Sequence, residues 1–230
     1  GNLIAHKKGA GSRVLFAAHM DSIGFIATYI EKEGFVRFCK VGGLHAPDLI
    51  ATPVRFKNGV RGVICLNEGV EPKEMTLEDL YIDIGAHDEE EARAMVGIGD
   101  TAVYDTPTFG AGDRLVSPYM DNRISCIVLL MAMEQFQKIE NDLYFVFTVQ
   151  EELGLRGAKT AAYAIDPDYG IAVDVTVSAD ELGSKHSGSS RLGGGAVDQK
   201  ALKRASDALA RRGYSWGDIH AGLRRYGAEI

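Results

Sequence analysis

The 230-residue sequence predicts an α/β fold, in which a sheet covered by helices on both faces carries a small inserted β-rich domain. Three observations carry that expectation. Val14 to Ala18, Leu143 to Gln150 and Tyr169 to Val173 are short apolar runs, β-branched or aromatic, that end abruptly in polar residues. Continuous runs of this length read as strands buried on both faces. Helical stretches lie between them, and strand, helix, strand is the grammar of an α/β sheet. Residues 48 to 113 change character, to short alternating segments punctuated by Gly and Asn.

Taken in order, Val14 to Ala18 is the first sheet strand. The insertion follows, with strands expected at Thr52 to Phe56, Gly62 to Leu66, Leu80 to Ile84 and Thr101 to Tyr104, and one charged helix from Asp88 to Met95. Their alternation suits a small barrel or sandwich. Ile124, Ile127, Val128 and Met131 then recur at helical spacing in a stretch apolar nearly all round, which predicts a buried helix. After the second sheet strand an Ala-rich helix is expected over Arg156 to Ile165, before the third strand. Residues 198–230 read as two helices: Leu202, Ala205, Ala208 and Leu209 line the first and Gly213 stops it. Ser215 and Asp218 cap the second, whose apolar stripe is Ile219, Leu223 and Tyr226. The expected division is therefore 1–47 and 114–196 for the α/β domain, 48–113 for the insertion and 197–230 for a helical tail.

With 46% hydrophobic residues, the chain is neither disordered nor fibrous. No run of about 18 apolar residues exists, and the N-terminus lacks the charged-then-apolar layout of a secretory signal, so no membrane association and a cytoplasmic location are expected. Cys39, Cys65 and Cys126 are too widely spaced to suggest a disulfide framework or a thiolate zinc site. The net charge of −7 argues against a nucleic-acid partner held through phosphates. The tail differs: Lys200, Lys203, Arg204, Arg211, Arg212, Arg224 and Arg225 face only Asp198, Asp207, Asp218 and Glu229.

The chemistry is expected where the strands end. The first runs into His19-Met20-Asp21, the second into Glu151-Glu152 and the third into Asp174-Val175-Thr176, while Asp121 opens the helix before the second strand. In open α/β sheets ligands bind beyond the carboxyl ends of the strands, so these residues converge on one site. Each alone has a plainer reading: a structural His, a solvated pair of Glu at a helix start, an Asp that caps a helix. Together they form an imidazole-plus-carboxylate set that suits zinc, cobalt or manganese. Without a cation, so many carboxylates would have to take up protons. Two ions about 3.5–4 Å apart, bridged by one carboxylate, would polarise a carbonyl and acidify a shared water. Of His19 and Asp21, one could ligate while the other steadies the imidazole. Of Glu151 and Glu152, one could ligate while the other takes a proton.

The strings Ala17-Ala18-His19-Met20-Asp21-Ser22-Ile23-Gly24, Tyr119-Met120-Asp121-Asn122-Arg123, Thr148-Val149-Gln150-Glu151-Glu152-Leu153-Gly154-Leu155-Arg156-Gly157-Ala158 and Val173-Asp174-Val175-Thr176 resemble the M42 family of metalloaminopeptidases. That family includes tetrahedral aminopeptidases and proteins labelled glutamyl aminopeptidase or endoglucanase. Over residues 1–196 the resemblance implies a phosphorylase/hydrolase-like metallopeptidase sheet, peptide substrates, two divalent ions (zinc or cobalt, with manganese an option) and homo-oligomers built through the inserted domain. It further implies that His19 and Asp174 bind one ion, Asp121 bridges, Glu152 binds the second, Glu151 is the general base and Asp21 orients His19. The family continues past the position of Gly195, through elements that carry a last His ligand. Here residues 197–230 weakly resemble the RecX family of recombination regulators instead, through Leu209-Ala210-Arg211-Arg212-Gly213-Tyr214-Ser215 and Asp218-Ile219. The expectation is thus a C-terminally truncated peptidase with a weak second metal site, His186 and His220 being the only later histidines. The alternative is a metal-binding remnant whose tail engages protein or nucleic acid. Glycan hydrolysis ranks below both, since His19 has no part in that mechanism.

Overall fold

The computed structural model describes residues 1–71, 73–178 and 182. Two compact units are present, Gly1–Val175 and Thr176–Ile230. Nearly all the described residues belong to the first; the two helices expected over 198–230, with His186 and His220, fall outside the described residues. Strands β1 (Leu3–Lys7), β2 (Arg13–His19), β3 (Gly24–Ile30), β4 (Val36–Val41), β5 (Pro53–Phe56), β6 (Arg61–Leu66) and β7 (Leu80–Asp83) precede helix α1 (Glu89–Met95). Then come β8 (Thr101–Tyr104), the hairpin β9 (Phe109–Ala111) and β10 (Arg114–Val116), helix α2 (Met120–Gln135), β11 (Asp142–Thr148), helix α3 (Arg156–Ile165) and β12 (Tyr169–Ala172).

The sheet has the order β1-β11-β2-β12. β11, β2 and β12 run parallel, and β1 joins the outer edge of β11 antiparallel. Side chains alternate across it. Val14, Ala18, Leu143, Phe145 and Phe147 pack toward Leu129 of α2, while Leu15 and Val146 pack toward Ala161 and Ile165 of α3. Helices on both faces are therefore present. One expectation fails here: the run Tyr169 to Val173 predicts a strand buried on both faces, but β12, which pairs with β2, has all four of its residues exposed.

The other layer is a closed barrel, β3-β4-β7-β6-β5-β8. Phe25, Ile30, Val36, Val54, Phe56, Ile64, Leu80 and Ile82 fill it. Asp88 caps α1 by accepting from the Glu91 amide at 2.9 Å, and Ala92 and Val96 cover part of the core.

Two further expectations need correction. The barrel spans Gly24 to Tyr104, so β3 and β4 lie in it and not in the domain expected over 1–47. A register shift between Ala27 and Tyr29 hides their alternation, leaving Thr28 and Tyr29 both exposed. The helix α2 is not buried all round: Leu129 faces the sheet, whereas Ile127, Val128, Leu130 and Met131 are about half exposed. Its contacts to β2 and β11 come from one side only, and apolar periodicity cannot say whether a second layer covers the other.

Candidate metal centre

Parallel register fixes where the functional side chains emerge. His19 stands opposite Thr148, and the Met20 amide donates to the Thr148 carbonyl at 2.8 Å, so β2 and β11 end together. On the other flank Val173 donates to the Ala17 carbonyl at 2.8 Å, which extends the β12 pairing to the residue before Asp174. His19 thus sits mid-sheet, with Glu151 and Glu152 after the strand on one side and Asp174 after the strand on the other. Asp121 arrives from the start of α2. Asp121 and Asn122 are non-helical (ψ 107° and 31°) and joined by a cis peptide bond, so regular helix begins after them.

The donor atoms of His19, Asp121 and Asp174 all lie within 4.8 Å of one another, as do those of His19, Glu151 and Glu152. His19 Nε2 is 2.9 Å from Asp121 Oδ1 and 3.9 Å from both Glu151 Oε2 and Asp174 Oδ1. The imidazole is 3% exposed, while Asp121 and Asp174 are open to solvent. Burial opposes a proton on His19, but the Asp21 carbonyl and the charges of Asp174, Glu151 and Asp121 outweigh it and raise the pKa. Burial, with the charges of Asp121 and Glu151, also raises the pKa of Glu152. A divalent ion would relieve both strains at once, and one imidazole with several carboxylate oxygens is a donor set that fits zinc, cobalt or manganese. Asp121 and Glu152 interact through charge but share no three-residue group among the described residues.

Asp21 acts through two different groups, its main-chain carbonyl and its carboxylate. His19 Nδ1 meets its main-chain carbonyl at 3.0 Å, and its carboxylate is farther from that nitrogen, at 3.6 Å. The carboxylate oxygens instead accept from the Glu151 amide at 3.1 Å and the Glu152 amide at 3.2 Å. One residue therefore ties the imidazole to the Glu pair. The chain reaches that pair through Gln150 at φ 57°, a left-handed conformation that an L residue holds only where its surroundings enforce it. The enforcement is visible: Gly154 and Leu155 donate to the Glu151 carbonyl, Arg156 donates to that of Gln150, and Gly157 to that of Val149.

Two further residues, neither assigned a role from the sequence, support the site. Asn2 accepts from the Val149 amide at 3.1 Å and donates to the Gly157 carbonyl at 2.7 Å, bridging the end of β11 to the start of α3. Asn122, fully buried, donates to the Val173 carbonyl at 3.0 Å and so ties the residue after Asp121 to the residue before Asp174. Its Oδ1 has no partner. An amide directly beside a candidate carboxylate ligand is the signal that could have found Asn122; nothing local points to Asn2.

Comparison with known proteins supplies independent context. The model of a peptidase family described as M42 glutamyl aminopeptidase matches residues 1–201. A protein of Acetivibrio thermocellus is 50% identical over 196 residues, which cover 85% of this chain and 59% of that protein. Among solved structures, aminopeptidase APDkam598 from the archaeon Desulfurococcus kamchatkensis superposes with a TM-score of 0.79 at 34% identity, over 92% of this chain and 65% of that one. The Pyrococcus horikoshii TET1 peptidase, described as able to assemble into a tetrahedron or a large octahedral shell, gives 0.71 at 30% identity, over 93% and 70%. The chain spans between half and two thirds of the length of the curated relatives it matches.

Proposed function

Since the chain belongs to the M42 glutamyl aminopeptidase family, we propose that it is built to remove the N-terminal residue of peptides at a centre of two divalent ions. The observation that carries this reading is the meeting of His19, Asp121 and Asp174 donor atoms within 4.8 Å at the ends of parallel strands. His19 and Asp174 would hold a first ion, Glu152 would hold a second, and the Asp121 carboxylate would serve both. Zinc or cobalt suits this mixed nitrogen and oxygen set, and manganese is compatible with it. Such ions, when bound, polarise the scissile carbonyl and acidify water.

The remaining steps belong to the chain. Glu151 takes the proton of the attacking water and passes it to the leaving amine. Asp21 fixes the backbone from which Glu151 and Glu152 project, and its carbonyl sets which imidazole nitrogen faces the carboxylates. Asn122 holds Asp174 in reach of Asp121. Among the described residues only Asp121 and Glu152 are assigned to the second ion, fewer than the three protein ligands usual for catalytic zinc, so these two alone would bind it more weakly than the first. Self-association is part of the same proposal, and the TET1 peptidase, described as able to assemble into a tetrahedron or a large octahedral shell, supports it. Among the described residues no helix is long and apolar enough to cross a membrane.

The test is metal analysis after dialysis together with hydrolysis of chromogenic amino-acid amides in added Co²⁺. Asp121→Ala is expected to lose most bound metal, because one carboxylate serves both ions. Metal content equal to that of the unchanged chain would end the bridging assignment.

A further inference from the structure

We propose that Gly42, on the barrel side of the molecule, is a positioning residue for Glu152 and thereby for the second ion. The proposal rests on the two-ion reading above. Gly42 follows β4 directly and has φ +82°, so the chain leaves the barrel in a left-handed conformation. A Cβ built there would lie 2.9 Å from Glu152 Oε2 and 3.2 Å from Glu152 Cβ, and also 2.7 Å from Ile23 Cγ2. Contacts under 3.0 Å force something to move. The atom that can move most easily is the Glu152 carboxylate, at the end of a flexible side chain; the branched Ile23 methyl is held closer to its backbone. The space a methyl group would fill is therefore the space that lets Glu152 lie among His19, Asp121 and Glu151.

Neighbouring glycines provide the contrast. Gly43 has nothing within 4 Å of a built Cβ and no left-handed φ. Gly59 and Gly69, in barrel turns, have φ +96° and +80° but open space around the position. A left-handed backbone is thus common to three of these glycines, and crowding of a candidate ligand belongs to Gly42. The barrel is in this way part of the metal centre's wall, and a change at the β4 exit reaches Glu152 directly.

The experiment is calorimetric titration of the metal-free chain with Co²⁺, on the unchanged protein and on Gly42→Ala, Gly43→Ala and Gly59→Ala. Gly42→Ala is expected to weaken the weaker binding event at least tenfold and to leave the tighter one unchanged, while Gly43→Ala and Gly59→Ala alter neither. Two unchanged events in Gly42→Ala would overturn the proposal and leave the two-ion reading standing. Equal weakening in Gly59→Ala would overturn it too, by assigning the effect to strain. A single event in the unchanged chain would overturn the two-ion reading and this proposal with it. Should Gly42→Ala unfold, thermal midpoints of Gly42→Ala, Glu152→Ala and the double variant without metal decide the matter: partial rescue by Glu152→Ala supports the contact, and additive losses refute it.

Discussion

Glu151 and Glu152 are adjacent, share one chemistry and are held by the same Asp21 carboxylate, yet the proposed mechanism needs them for different work. Glu151→Gln keeps the shape and removes the basicity, so turnover is expected to fall by about 10²–10⁴ with metal content nearly intact. Glu152→Gln is expected to lower occupancy of the second site instead. Elemental analysis beside amide hydrolysis reads both quantities, and a fully active Glu151→Gln would sink the mechanism. His19, Asp121 and Asp174 are legible in the sequence because abrupt strand ends, and the helix start between them, mark where a parallel sheet opens. Asp21 is legible as a residue but not as an arrangement, since a two-residue spacing says nothing about which of its oxygens meets the imidazole. Asn2 is invisible for a physical reason: its partners, Val149 and Gly157, lie some 150 residues away, and one exposed-looking Asn near a terminus has no periodicity to betray it.

Among the elements, β11 shows how local groups hold a strand in place. Its first residue, Asp142, accepts from the Gly9 amide and the Tyr144 hydroxyl and pairs with His6 Nε2 at 2.8 Å, while the His6 ring stacks on Tyr144. The His6 contact comes first among the causes that hold the Asp142 carboxyl below the usual carboxylate range. A depressed carboxylate stabilises the fold above its unfolded pKa, near 3.9, and that contribution disappears as pH falls through the lower folded value. Thermal midpoints between pH 5 and 2 are therefore expected to fall less steeply in Asp142→Asn, and parallel curves would show that the carboxyl does not link pH to stability. Elements with unbroken periodicity, such as β8 and α3, have the bounds that their sequence predicts. β3 is hidden where the bulge breaks its alternation, and β1 because its Leu3 and Ile4 are exposed at an edge, so no apolar face distinguishes it.

At the scale of the molecule, Ile127, Val128, Leu130 and Met131 on α2 and Ile171 on β12 are about half exposed, and clustered apolar side chains of this kind favour association in water. Ile127→Lys with Met131→Lys is expected to reduce concentration-dependent association measured by light scattering, and an unchanged mass distribution would show that association uses another surface. The barrel's own closure has a consequence of a different kind, in the order of folding. β2 must find β11, which lies beyond the whole barrel in sequence, and a loop that long closes slowly. The barrel's first and last strands, however, are neighbours, with Phe25 opposite Ala102. Once its hairpins have closed, entry and exit stand side by side and the long search becomes a short one. Phe56→Ala, which empties a core position at about 3–5 kcal/mol, is then expected to slow refolding of the whole sheet, whereas Val146→Ala chiefly speeds unfolding. Stopped-flow refolding that left the Phe56→Ala rate unchanged would place sheet assembly ahead of the barrel, and β2 would have to meet β11 across an open chain.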